Sequence, residues 1–180
     1  MKKIISILLA CILLLGLWAC DSTPTLVDKP QSNDTPQSNN TPTETESAKI
    51  FALGDSVELD DVVVTFLDVI QSNGSTYNKP TSGNVFVLCE FEIANNSSDE
   101  LSISSMMSFS AYHDDYACDF SFSALMEKGN KDQLDGSIAP GKKMKGVVGF
   151  EIPEDWNELE VHFTPDVFSR NEIVFVATNS

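Results

Sequence analysis

Asn84-Val85-Phe86-Val87-Leu88-Cys89-Glu90-Phe91-Glu92-Ile93-Ala94-Asn95 is the stretch that decides the fold. Val85, Val87, Cys89, Phe91 and Ile93 recur at every second residue, with Glu90 and Glu92 between them, which is the period of a strand that turns one face to a core. This is the central strand, and the pattern repeats in shorter form on either side of it. Upstream, Val57-Glu58-Leu59 and Val62 to Val69 read as strands, although Val62-Val63-Val64 is apolar on both faces and leaves the inward phase open. Gln71 to Gly83 is a polar loop turning at Asn73-Gly74. Downstream, Leu101 with Ile103, Phe109 with Ala111 and Tyr112, the alternation from Tyr116 to Phe122, Lys142 to Ile152, Leu159 to Phe163 and Ile173 to Val176 all carry strand patterns. A short helical turn is predicted around Ala124-Leu125-Met126-Glu127, and Asp135-Gly136 and Pro140-Gly141 read as turns. Some seven to nine short strands without a long helical period predict an all-β, antiparallel sandwich over residues 49–180.

Two of these stretches also resemble a family. Val85 to Ser97, ending Ile93-Ala94-Asn95-Asn96-Ser97, and Ile138-Ala139-Pro140-Gly141 followed by Gly146-Val147-Val148-Gly149-Phe150-Glu151-Ile152-Pro153 are similar to the strand and turn motifs of the uncharacterised immunoglobulin-like lipoprotein domain of Gram-positive bacteria, a relative of the immunoprotective extracellular protein. The likeness spans roughly Gly54 to Val176. It implies an immunoglobulin-like β-sandwich behind a lipidation signal and a low-complexity linker, with no catalytic residue to carry over. The motifs also have reasons of their own. Pro140 presets φ for a turn, Gly141 accepts the positive φ that follows, and Asn95 and Asn96 tolerate left-handed geometry where a strand ends. Gly146 and Gly149 mark a bulge or a close backbone approach.

Met1 to Cys20 carries an address. Lys2 and Lys3 precede an apolar run from Ile4 to Leu17, and Leu17-Trp18-Ala19-Cys20 closes it with a small residue before a cysteine, which resembles a bacterial lipoprotein signal peptide. Residues 1–19 are expected to be removed and Cys20 to take a diacylglyceryl group, whose two chains anchor stably where one is marginal. The run is shorter than the ~20 residues a spanning helix needs. Leu8-Leu9-Ala10-Cys11 is a second match, but cleavage there halves the apolar run and starts the product with Ile-Leu-Leu-Leu. The alternative is an ordinary secretory signal and a freely released product. Residues 20–48 are Ser, Thr, Pro, Asn, Gln and acid, with Pro30-Gln31-Ser32-Asn33-Asp34-Thr35 repeated as Pro36-Gln37-Ser38-Asn39-Asn40-Thr41. Such a composition predicts a disordered linker acting as a stalk, with a root-mean-square reach of about 30 Å.

The formal net charge is −16, and without Lys2 and Lys3 the product keeps 9 of 11 basic residues against 27 acidic ones, or −18. That excludes a nucleic-acid partner, which needs a basic face. The cluster Lys142, Lys143 and Lys145 reads as protection of a strand edge. With Cys20 acylated, Cys89 and Cys118 remain as one pair, either a disulfide in an oxidising compartment or two buried thiols. His113 and His162 are the only histidines, and no metalloprotease, nucleophile-elbow, phosphate-loop or Cys-x-x-Cys motif occurs. The acid pairs Asp60-Asp61, Asp99-Glu100, Asp114-Asp115 and Glu154-Asp155 suggest calcium, and Met106 and Met107 with His113 suggest copper. Solvated turn acids and core methionines are the simpler accounts, so no metal or cofactor is expected. Trp156, the one tryptophan outside the signal, is either an exposed interface anchor or a cap folded onto the sandwich.

These observations predict a non-enzymatic lipoprotein at the extracytoplasmic face of the cell membrane. Its domain is expected to bind a protein or envelope component, or to serve as an accessory part of a membrane-associated complex.

Overall fold

The computed structural model describes residues 23–27, 49–129, 131–165 and 171–179. The signal segment 1–19 and Cys20 lie outside them. In chain order the described residues form β1 (Thr25–Leu26), β2 (Ile50–Ala52), β3 (Ser56–Leu59), β4 (Val62–Ser72), β5 (Asn84–Asn95), β6 (Leu101–Ser104), β7 (Phe109–His113), β8 (Tyr116–Cys118), a helical turn α1 (Phe122–Leu125), β9 (Asp135–Ile138), β10 (Lys143–Pro153), β11 (Glu158–Phe163) and β12 (Ile173–Thr178).

The strand with the clearest alternation is central, as expected. β5 pairs antiparallel with β10 along its whole length, Asn84↔Pro153 to Ala94↔Lys143, and with β4 on its other side. Five strands in the order β1-β3-β4-β5-β10 make the first sheet, and β2-β12-β11-β7-β8 make the second. All of these pairs are antiparallel except β2 with β12. A ribbon of β6 and β9 stands beside them.

The chain is thus an all-β sandwich. Its inner layer is aromatic: Phe66 stacks on Phe91 at 4.5 Å between ring centres, and Phe175 from the second sheet sets its ring at 5.7 Å from both. The inward phase left open at Val62-Val63-Val64 is that of Val62, Val64 and Phe66, which are buried.

Two hairpin turns explain two of the acid pairs. Leu59 pairs with Val62 and His113 with Tyr116, so each hairpin has a two-residue loop. Asp60 and Asp61 (φ 51° and 62°) and Asp114 and Asp115 (φ 45° and 70°) supply the two successive positive φ angles that such a loop demands. Asn95 and Asn96 adopt no positive φ. Asn95 acts through its side chain instead, with Oδ1 accepting from the Ser97 amide and Nδ2 donating to the Asp99 and Ile138 carbonyls.

Three further expectations are corrected. Asp135-Gly136 is not a turn but part of β9, because the Asp135 carboxylate accepts from the amide and hydroxyl of Ser105 and holds the strand beside β6. The strand pattern from Tyr116 to Phe122 stops at Cys118, and after a bridge from Phe120 to Phe150 the chain turns into α1. Finally, the segment read wholly as a linker contains β1, which pairs with β3 through Thr25↔Glu58 and Leu26↔Val57, while Val27 N donates to Ser56 O at 2.8 Å. β1, β2 and β9 raise the strand number to twelve among the described residues, above the seven to nine expected.

The outer faces of the two sheets differ. On the first, Phe86, Leu88 and Val147 point away from the main core and are sealed by Ala124 and Leu125 of α1. Gly149 makes that seat possible, since a Cβ there would lie 3.0 Å from Ala124 Cβ and 3.1 Å from Ser121 O. Ser121 caps the helical turn, its Oγ accepting from Ala124 N at 3.1 Å. On the second sheet, Tyr112 is exposed, and Glu160 and His162 are half-buried along an uncovered groove.

Candidate functional site

Register places the features of this surface at two ends. Leu59, Asn95, Lys143, Phe163 and Ile173 lie at one end, where Asn171 Nδ2 of the second sheet reaches Asp60 Oδ2 of the first. Ser72, Asn84, Pro153, Glu158 and Thr178 lie at the other, where Gln71 Nε2 donates to Asn179 Oδ1 at 2.9 Å. α1 sits over the half of β5 and β10 nearer this second end, on Phe86, Leu88, Val147 and Gly149.

An apolar ledge surrounds α1. Phe122 is 63% exposed and Met126 74%, although their neighbours Ala124 and Leu125 are buried. Asn78 Nδ2 donates to Ser123 O at 2.8 Å and to Glu127 Oε1 at 2.6 Å, which fastens the loop carrying Tyr77 to the helical turn. Tyr77 itself is 99% exposed. Phe120 packs edge-on against Phe122 at 4.9 Å and gives the ledge an anchored base. One α1 turn therefore buries one side into a small second core and turns large apolar groups outward on the other.

The second sheet carries a groove of about 300 Å³ lined by Tyr112, Asp114, Asp115, Glu158, Glu160 and His162. His162 meets Glu160 Oε1 at 2.5 Å through Nε2 and Glu172 Oε2 at 3.1 Å through Nδ1, with Tyr112 edge-on at 5.3 Å. Each ring nitrogen of His162 thus faces a carboxylate. The Asp114 carboxylate accepts from the amides of Asn157 and Glu158, which hold it below the usual carboxylate range. It is thereby committed to fixing the β7–β8 hairpin. Among the described residues, no group of three or more His, Cys, Asp or Glu side chains is arranged to hold a metal ion.

Cys89 and Cys118 both pack on the main core, and Met106 and Met107 lie elsewhere than the sequence suggests. Cys89 is fully buried on β5 and Cys118 half-buried on β8, and among the described residues both are free thiols. Burial pushes the Cys89 thiol far up and the Cys118 thiol to about 11. Both stay protonated, and it is the thiolate that reacts. Trp156 is 2% exposed and packs in the main core, so it cannot anchor a surface contact. Its loop is held by Asn179 Nδ2 on the Trp156 carbonyl, and its indole Nε1 has no hydrogen-bond partner among the described residues. Met106 and Met107 are exposed rather than core residues, and they precede β7 whereas His113 ends it. Lys143 and Lys145 lie on β10, the outermost strand of its sheet, with Lys143 on Glu92 at 2.7 Å and Lys145 near Glu90 at 3.5 Å.

Residues 51–173 match the model of a domain of unknown function, DUF4352. The chain belongs to this family. The match spans the strands that build both sheets, apart from β1, the first residue of β2 and all of β12 after Ile173. Two solved structures from Bacillus subtilis share the sandwich. The yjhA protein superposes with a TM-score of 0.57 at 16% identity, over 69% of this chain and 97% of its own. The proposed lipoprotein ycdA superposes with a TM-score of 0.56 at 20% identity, over 66% of this chain, and this chain spans only 37% of its length. Identities this low speak to the fold. No curated protein sequence matches significantly.

The ledge was missed from sequence, though a signal for it exists. Phe86 and Leu88 occupy the outward phase of β5 where Glu90 and Glu92 are polar, and an apolar outward phase calls for a cover.

Proposed function

We propose that this DUF4352 protein is a lipoprotein held through acylated Cys20 at the extracytoplasmic face of the cell membrane, and that its sandwich is a non-catalytic module binding a protein or envelope component. The observation that carries this reading is the ledge of Tyr77, Phe122 and Met126, 99%, 63% and 74% exposed around a sealed second core. Large apolar groups gathered on a fixed base lose little freedom when covered, which is what an interaction site requires. The immunoglobulin-like motifs and the fold shared with a proposed lipoprotein support the same class.

The test is cross-linking on membranes bearing the full acylated chain, compared with the released Cys20→Ala chain and with Phe122→Ser/Met126→Ser. The reading expects a partner that both the anchored and the released chain retain and that the ledge variant loses. A partner lost on release alone, and still captured by the ledge variant, makes the protein an accessory component whose contacts depend on the membrane.

A further inference from the structure

We infer that β1 is a strap that sets how far the domain stands from the lipid, an inference that rests on acylation of Cys20. β1 occupies the edge of the first sheet next to β3, with Thr25 opposite Glu58, Leu26 opposite Val57, and Val27 N on Ser56 O at 2.8 Å. Cys20 is five residues before Thr25 and thirty before Ile50, the first residue of β2. At no more than about 3.6 Å per residue, the docked strap limits the anchor-to-domain span to about 18 Å, and release of the strap raises the limit sixfold, to about 110 Å. The domain then has two tether lengths rather than a single stalk.

The strap is built to come off without damage. Leu26 is 57% exposed and Val27 39%, so β1 places no side chain in the core and holds by main-chain bonds. Its removal leaves no cavity, and β3 keeps its pairing with β4 from Ser56↔Thr65 to Leu59↔Val62.

The docked strap also orients the domain. Thr25 lies beside Glu58, at the end of the sandwich marked by the Asp60-Asp61 turn and by Asn95. The lipid therefore enters at that end, and α1, over Phe86 and Gly149, sits toward the end away from the membrane. Docked, the strap holds the domain close with its ledge outward; released, it lets the domain range.

The experiment is neutron reflectometry of the full acylated chain on a supported phosphatidylcholine–phosphatidylglycerol bilayer. Val27→Pro removes the amide that bonds Ser56 O, and Thr25→Cys/Glu58→Cys, oxidised, locks the strap. Wild type and the locked pair are expected to give a narrow layer beginning within about 20 Å of the headgroups. Val27→Pro, with an unchanged melting temperature, is expected to move that layer outward by several tens of Å. Superimposable profiles for Val27→Pro and the locked pair on an acylated chain overturn the strap alone. A mature N terminus whose mass shows no acyl group on Cys20 overturns the anchor, and the strap with it.

Discussion

The two outer faces of this sandwich start from the same alternation and end differently. On the first sheet the outward positions Phe86, Leu88 and Val147 are apolar and are roofed by α1, which makes a second small core. On the second sheet the outward positions Tyr112, Glu160 and His162 are polar or amphipathic and stay open as a groove. A roof has edges, and the edge of this one exposes Phe122 and Met126. The bare face satisfies its own polar groups, His162 against Glu160 and Glu172, and Asp114 against two amides. Covering one face therefore creates the apolar surface that the other face lacks.

The contrast can be broken most sharply by truncating one residue on each face. Phe86→Ala should destabilise the fold by about 3–5 kcal/mol in urea melts, since a fully buried ring is lost beneath a helix that cannot collapse onto the gap. Tyr112→Ala, on the open face, should cost within about 0.5 kcal/mol. Comparable losses at the two positions would mean that the faces are not differently packed. Next in size is Gly149→Ala, whose methyl must push Ala124 and the Ser121 carbonyl aside, and which should cost about 1–3 kcal/mol, partly recovered by Ala124→Gly. Ser121→Ala should cost about 1 kcal/mol through loss of the helix cap.

Between the faces in effect lies Glu90. Burial alone would raise its carboxyl, but the bond and charge of Lys131 at 2.7 Å, with Lys145 adding to them, hold it below its ordinary value. Its contribution is therefore fully present above the unfolded value near ~4.3 and is lost as pH falls through the lower folded value. Glu90→Gln should remove about 1 kcal/mol at neutral pH and flatten the acid limb of stability against pH. An unchanged acid limb would show that the pair contributes nothing.

The strands were legible because side-chain alternation records which face is buried, and β5 and β10 alternate except where α1 covers Phe86, Leu88 and Val147. The turns at Asn73-Gly74 and Pro140-Gly141 were legible through glycine, with φ of 77° at Gly74 and 69° at Gly141. β1 was not, because two residues held by main-chain bonds leave no periodicity, although Leu26 and Val27 are the only neighbouring apolar pair between 21 and 48. The Asp-Asp pairs suggested a ligand where the backbone needed two positive φ angles. His162 could not be placed from sequence either, since its partners reach it from β7, β11 and the residue before β12 only through register.

The proposed partner meets the sandwich at its roofed face. A photo-reactive phenylalanine analogue at position 122 or at position 112, in the full acylated chain on its own membranes, tests this most directly. A cross-linked partner is expected from position 122 and none from position 112. Cross-linking from position 112 alone would place recognition in the open groove and contradict it.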